Sequence, residues 1–361
     1  MIFRRVIRCN KIQLPRKAFF NHMASRTPLV TTITDTYYRP ALLKEAVEAL
    51  RRQTYDKLEI ILVNNGATPE TIEYLYEVEA QDKRVKLIHF KENQYSQDDP
   101  VMMLDTCLNA GLKVATGDYI WYQADDDLIA DDYIEKMVAL FDGDPECVTA
   151  AGVPISIDIN GKVLSSPPLT GQPRYMPGHL LALDYIRVGG MFRAPGTIFT
   201  IKREALIKAG GFHRAIEFSH LFGIVPFGTT GFDQTAHFFW RRHEGQLNLK
   251  ISAAGQIGIR ELMSLLKDWD IKGQWKVFGE DIAEEVVSTI IKRRFLGAAD
   301  FFATNLYQLR WHGCARLLQD SWNQTYFWKS LPISFWNEKQ VFKRQLKKMV
   351  KGLTYQVQGG S

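Results

Sequence analysis

From residue 28 to about 142 the chain alternates short apolar runs with helical stretches, and this alternation limits the fold more than any other feature. "LVTTIT" (29–34) is a β-branched run that reads as a strand. Pro40 suits the first helical position, and Leu42, Leu43, Ala46, Val47 and Leu50 then recur on one helical face. "LEIILVN" (58–64) is a near-continuous apolar run of the type buried on both faces of a parallel sheet. Thr68 and Pro69 read as the cap and first position of a helix reaching about Ala80. "VKLIHF" (85–90) is a third strand, and Met102 to Val114 a helix ended at or just before Gly117. "DYIWYQ" (118–123) is a fourth strand, followed by a helix over 132–141. Strands and helices of these lengths predict βαβ units, a mostly parallel sheet and right-handed crossovers.

Ligands of such sheets bind beyond the carboxyl ends of the strands. Three polar groups fall there: Thr34 and Asp35, Asn64 and Asn65, and the run Asp125, Asp126 and Asp127 in "QADDDLIADD". No G-x-G-x-x-G follows the first strand and no P-loop is present, which disfavours a classical dinucleotide or P-loop site. The three aspartates offer hard oxygen ligands to Mg²⁺ or Mn²⁺, with phosphates completing the shell. Their alternative use is local: Asp127 or Asp131 caps the next helix while the others face water.

Charge is unevenly spread. Residues 1–34 carry +7 and residues 291–361 carry +9, so an acidic middle of −11 lies between basic ends in a chain of net +5. The basic ends suit an anionic surface or a solvated tail, and residues 1–27 read as a flexible extension with Met23 as an alternative start. The acidic centre lacks a basic aromatic platform, so no nucleic-acid partner is expected. Cys9, Cys107, Cys147 and Cys314 are too scattered for a zinc or disulfide framework, which suits a reducing, cytoplasmic setting. No apolar run is long enough to cross a bilayer and no signal-peptide core is seen near the N-terminus.

Two long motifs, in order, carry a resemblance. "VTTITDTYYRPALLKEAVEALRRQTYDKLEIILVNNGATPET" and "CLNAGLKVATGDYIWYQADDDLIADDYIEKMV" resemble the nucleotide-binding half of family 2 glycosyltransferases, which have the GT-A fold. "GGMFRAPGTIFTIKREALIKAGGF" matches that family more loosely. The resemblance implies an α/β fold of GT-A type: a Rossmann-like, mostly parallel sheet flanked by helices. It implies a domain over 28–260, divided into a nucleotide-sugar half (28–150) and an acceptor half (151–260), with a mainly helical region over 261–361. It also implies transfer of a sugar, with inversion, from a nucleotide diphosphate sugar (UDP the favoured base) to a hydroxyl, in cell-surface polysaccharide or glycolipid synthesis. Thr34, Asp35, Thr36, Tyr38, Asn65 and Asp125 then fall where the family holds the donor, and Asp126 matches the last acid of its D-x-D metal motif. The sequence departs from the pattern twice. Ala124 stands at the first acid of D-x-D, and the usual D-D-G is Asn64-Asn65-Gly66. These departures also suit a degenerate nucleotide-sugar-binding subunit of the same fold.

An inverting transferase needs a base for the acceptor hydroxyl. The family places an acid before an aromatic helix followed by Arg, and Asp233 in "GFDQTAHFFWRRHEG" is the match, with Glu217 the alternative in register. His237 and His243 are further candidates for a base or phosphate ligand. Of Arg241 and Arg242, one is expected near the diphosphate and the other on a solvated helix face. "GQPRYMPGH" (171–179), with Arg174 and His179, reads as a lid or a plain surface loop. Phe342, Leu346, Met349, Val350 and Leu353 share one face of a basic helix beside the aromatic stretch 322–336, which suits either core packing or peripheral contact with the inner face of a membrane.

Overall fold

The computed structural model describes residues 27–95, 102–166, 173–188, 199–213, 223–246, 266–267 and 270–307, with single positions or short groups between 318 and 336. These fall into two compact units. The first holds the described residues up to His243 together with Lys276–Glu280; the second holds those from Glu244 onward apart from that short segment.

The first unit begins as the alternation predicts. Strand β1 (Val30–Thr36) leads through helix α1 (Pro40–Arg51) to β2 (Leu58–Asn65), and α2 (Pro69–Gln81) leads to β3 (Val85–Phe90). Helix α3 (Met102–Val114), β4 (Tyr119–Tyr122), the short β5 (Leu128–Ile129) and α4 (Tyr133–Gly143) follow. Pro40 and Pro69 open their helices, where a missing N–H costs nothing. Thr68 sits at the cap position of α2, but its hydroxyl bonds the Thr71 hydroxyl at 2.9 Å instead of a backbone N–H. Every residue of β2 is buried, as its apolar run requires.

Beyond 143 come β6 (Cys147–Ile157), β7 (Val163–Ser165), β8 (Tyr175–Pro177), α5 (Gly178–Val188), β9 (Phe199–Lys202), α6 (Arg203–Lys208) and the long β10 (Thr229–Arg241). The Asn-Gly signal at 160–161 is the β6–β7 turn, with Gly161 at φ +83°. The sheet order is β3-β2-β1-β4-β9-β6-β10-β5, with β7 on β6 and β8 on β10. β1 to β4 pair in parallel, β9 runs against both β4 and β6, and β6 and β10 are parallel to each other. Six strands therefore point their carboxyl ends to one edge: β1, β2, β3, β4, β6 and β10.

One expected helix is a strand. "GFDQTAHFFWRR" belongs to β10, where Ala236 and Phe238 face the core while His237 and Phe239 are half-buried. Between Phe232 and His237 the strand advances five residues against two of β6, a wide bulge. The loop at 171–179 is likewise no lid over that edge where it is described. Its residues 175–177 form β8 against Thr229–Gly231, at the amino end of β10, and His179 stacks on Phe278 at 4.8 Å.

The second unit contributes α7 (Ile271–Trp275) and most of α8 (Glu280–Tyr307). In it Phe327 and Leu331 pack with Ala299, Ile291, Phe302 and Leu318. The amphipathic pattern over 342–353 lies outside the described residues, as does Glu217. Among the described residues no helix is long and apolar enough to cross a membrane.

Candidate active site

The carboxyl edge of the sheet gathers the polar residues that the sequence singles out. Thr34 and Thr36 project from one side of β1 and Asp35 from the other, because side chains alternate along a strand. Thr34 is fully buried and its Oγ1 has no hydrogen-bond partner. The Thr36 hydroxyl donates to Asp125 Oδ2 at 3.1 Å. Burial pushes the Asp35 carboxyl up to about 6 against the pull of Arg39 and of the Tyr122 hydroxyl. Tyr38 is exposed at the rim, edge-on to Tyr37 at 5.3 Å.

Asn64, Asn65 and Gly66 close β2. Asn64 Oδ1 accepts from Ala67 N at 2.6 Å, and its Nδ2 lies 3.0 Å from His89 Nδ1. Asn65 Oδ1 accepts from Gln94 N at 2.8 Å. That contact fixes the amide orientation and leaves Nδ2 buried without a partner. Gly66 has φ +62°, and a Cβ there would meet Asn93 N at 2.5 Å, so this turn admits glycine alone.

The three aspartates are all buried: Asp125 at 4%, Asp126 at 7% and Asp127 at 3% exposure. The Arg39 guanidinium and the backbone N–H of Arg241 offset their crowding. Arg39, in the residue before α1, spans the first pair: Nη2 lies 2.6 Å from Asp125 Oδ1, and Nη1 lies 2.5 Å from Asp126 Oδ2. His243 Nε2 reaches the same Asp126 oxygen at 3.0 Å. Arg241 is 1% exposed. Its backbone N donates to Asp127 Oδ1 at 2.9 Å and its Nε to the Asp126 carbonyl at 2.9 Å. Its Nη1 donates to the Ile159 carbonyl and its Nη2 to Glu45 of α1. Arg241 thus ties β10, the β6–β7 turn and α1 to the acidic loop. It is buried, and does not lie on a solvated helix face. Arg242 stacks on the Trp240 ring at 4.1 Å.

The carboxyls differ in acidity. Burial raises Asp126, but His243 and Arg39 outweigh it and hold it below the usual range. Burial raises Asp125, where Arg39 pulls down and Asp126 and Asp35 push up. Burial and the Asp126 charge raise Asp127. Three adjacent buried carboxyls do not all ionise beside one guanidinium, so Asp126 carries the charge first.

Asp233 is not brought to this edge. It lies in the β10 bulge, with Oδ1 accepting from Thr235 N and Oγ1 at 2.8 and 2.7 Å and Oδ2 3.8 Å from Arg174. Phe232 pairs with Ala151 and Arg241 with Ile157. Six residues of β6 therefore separate Asp233 from the acidic loop, roughly 20 Å at strand rise. The base expected before a helix sits instead on a strand, towards its amino end. His237 is on the same strand, and its carbonyl accepts from Ala130 N at 3.0 Å.

A metal fits only in part. Among the described residues no three His, Cys, Asp or Glu side chains are grouped to hold an ion. Asp126 and His243, with Asp125 beside them, form an incomplete oxygen and nitrogen seat whose open side Arg39 covers. Phosphate oxygens and water are the ligands that such a seat would still need.

Residues 31–210 match the profile of glycosyl transferase family 2. Over these residues, just under half of its length, the chain is similar to glycosyl transferase family 2. Among its relatives, an uncharacterised glycosyltransferase of Haemophilus influenzae is 33% identical over 125 residues, 35% of this chain and 36% of that protein. Glycosyltransferase GlyG of Streptococcus pneumoniae is 32% identical over 109 residues, 30% of this chain and 34% of that protein. The chain thus spans little more than a third of the length of these relatives. In structure it resembles residues 1–349 of TarS from S. aureus, crystallised with UDP-GlcNAc. That similarity has a TM-score of 0.58 at 11% identity, covering 86% of this chain and 92% of the other. The same protein with UDP gives a TM-score of 0.53, again at 11% identity, over 86% and 91%. These likenesses show the GT-A type of fold.

Sequence reading missed Arg39 and placed Arg241 only loosely. Arg39 has a faint signal in retrospect, as the cation in "TDTYYRP" four residues after Asp35. Its acidic partners stand 86 and 87 residues further on.

Proposed function

We propose that the chain is a glycosyltransferase that moves a sugar from a nucleotide diphosphate sugar, with UDP as the nucleotide, to a hydroxyl of a saccharide or glycolipid acceptor. One observation carries this reading. At the carboxyl edge of a GT-A-type sheet, the buried atoms Thr34 Oγ1 and Asn65 Nδ2 lack hydrogen-bond partners, and the acidic loop bonds to Thr36 of β1 beside them. Buried polar groups ordinarily have partners, so these two fit a polar ligand. The match to the family over residues 31–210 and the UDP and UDP-GlcNAc complexes of TarS support the choice of ligand.

Asn65 Nδ2 donates to an acceptor on the base or ribose, and Thr34 Oγ1 supplies a second contact. Tyr38 at the rim offers an aromatic face. Asp35, its carboxyl raised to about 6 by burial, accepts a hydrogen bond from a ribose hydroxyl when ionised and donates one when protonated. Asp126 and His243, with Asp125, would hold a divalent cation (Mn²⁺ or Mg²⁺), which supplies charge neutralisation to the diphosphate leaving group. Arg241 keeps the acidic loop in place. The acceptor's proton goes to Glu217, the acid left in register once Asp233 is set aside. Displacement at the anomeric carbon then inverts it. An acceptor in cell-surface polysaccharide or glycolipid synthesis, and contact of the C-terminal region with a membrane surface, belong to the same reading.

Turnover tests it. Release of nucleoside diphosphate from a panel of UDP- and GDP-sugars, with saccharide acceptors, is followed by mass spectrometry. The reading expects UDP release coupled to acceptor glycosylation, and a loss of about 100-fold or more in kcat for Glu217→Gln. A second reading, a nucleotide-sugar binder without turnover, is favoured by Ala124 in place of an acid and by Arg39 already paired with the two aspartates. Saturable UDP binding with no transfer to any acceptor class would select it.

A further inference from the structure

We propose that the outward face of residues 325–336 rests on an anionic lipid surface, with Trp328 and Trp336 in the headgroup layer and Lys329 beside them. The proposal gives the membrane contact of the reading above a face and a partner, and it does not depend on the donor site.

Each described position of 325–336 is helical, and the Ser334 hydroxyl donates to the Ser330 carbonyl one turn back at 3.2 Å. Burial follows the helical period. Phe327, Leu331 and Ser334 are buried at i, i+4 and i+7. Phe327 meets Phe302 of α8 edge-on at 5.8 Å, and it packs with Leu331, Ala299, Ile291 and Leu318. That side of the segment is therefore its core contact. Thr325, Trp328, Lys329, Pro332 and Trp336 are exposed at i, i+3, i+4, i+7 and i+11, which places them in one stripe on a different side. Trp328 is 42% exposed, even with its ring edge-on to Phe327 at 5.3 Å, and Trp336 is 63% exposed.

The outer stripe of a helix ordinarily carries charged and polar side chains. A single exposed apolar residue needs no explanation, but two indoles on one stripe mark a surface that meets something. Indole suits the membrane–water boundary, because its ring is apolar and its N–H still finds an acceptor at headgroup depth. Charge selects the occupant. Residues 291–361 hold twelve Lys and Arg against three acids. A second copy docked through the same face would bring two such regions together, like charge against like, whereas anionic headgroups supply the opposite sign.

Co-sedimentation of the full chain with lipid vesicles tests this, using phosphatidylcholine alone and phosphatidylcholine mixed with phosphatidylglycerol. The wild type is expected to bind the mixed vesicles, to bind the neutral ones at least about 10-fold more weakly, and to be released by high salt. The double variant Trp328→Ser/Trp336→Ser is expected to lose at least about 10-fold in partitioning to the mixed vesicles. Lys329→Glu is expected to lose about 5-fold or more. No binding of the wild type to the mixed vesicles overturns the proposal. So does binding that neutral vesicles match, or that the double variant keeps when circular dichroism shows it folded. If the double variant does not fold, Trp336→Ser alone and Lys329→Glu decide: partitioning unchanged in both overturns the proposal, and a loss in either supports it. Sedimentation velocity without vesicles covers the rival occupant, because self-association of the wild type that the folded double variant abolishes would assign the face to a second copy and overturn the proposal. UDP titration of the same proteins keeps the two readings apart: absence of UDP binding sinks the donor reading and leaves the vesicle result to judge this one.

Discussion

Arg241 and Gly66 show how single residues hold the site without touching a ligand. Truncating Arg241 to Met leaves the Asp126 and Ile159 carbonyls without their donor and frees Glu45. An unsatisfied buried acceptor costs about 1–3 kcal/mol. Chemical denaturation of Arg241→Met should therefore show a loss of that order, and UDP affinity should fall with it because the acidic loop loosens. Gly66→Ala forces a side chain into φ +62° and into the Asn93 backbone. The left-handed conformation alone costs about 1–2 kcal/mol. A lower thermal midpoint and weaker UDP binding are expected, and a variant as stable as the wild type would show that the turn relaxes. The site's single residues were only partly legible. Thr34, Asp35, Asn65 and the aspartates stand at strand ends, which pattern reveals. Arg39 and Arg241 act on partners 82 to 196 residues away, and no local signal encodes that.

At the scale of elements, β2 carries a charge inside an apolar strand. Glu59 is buried, accepts from Thr31 and Thr116 and pairs with Lys86 at 2.5 Å. Although burial opposes it, this ring of donors holds the carboxyl down at about 2 against an ordinary 4.5. A depressed carboxylate stabilises the fold above its unfolded value and loses that contribution as pH falls. The window is thus pH 4.5 down to 2, and the size is on the order of 2–3 kcal/mol. Glu59→Gln should be less stable at neutral pH and should lose less further stability across that window than the wild type, measured by urea unfolding at stepped pH. Parallel curves would refute the assignment. β1 to β4 were legible because unbroken apolar runs between helical periods admit few other readings. β10 was not. Its bulge at 233–236 breaks the two-residue alternation, so the aromatics and arginines of "HFFWRR" pass for a helical face. Asp233, expected before a helix, therefore lies in the bulge of a strand.

At the scale of the molecule, the sheet converges six strand ends on one edge, and the polar groups of 34–39, 64–66, 125–127 and 241–243 all lie there. A ligand bound to the folded state alone stabilises it by mass action. UDP at 100 times its dissociation constant should add about 2.7 kcal/mol and raise the thermal midpoint accordingly. The central claim is that this edge binds a nucleoside diphosphate through the partnerless atoms of Thr34 and Asn65. The most direct measurement is calorimetric titration of UDP into the wild type and into Asn65→Ala. Removing one hydrogen bond to a polar ligand is expected to weaken binding by about 10-fold. Saturable one-site UDP binding that falls by that amount in the variant is the expected result. No binding of any nucleoside diphosphate, or equal affinity in the two proteins, would contradict the claim.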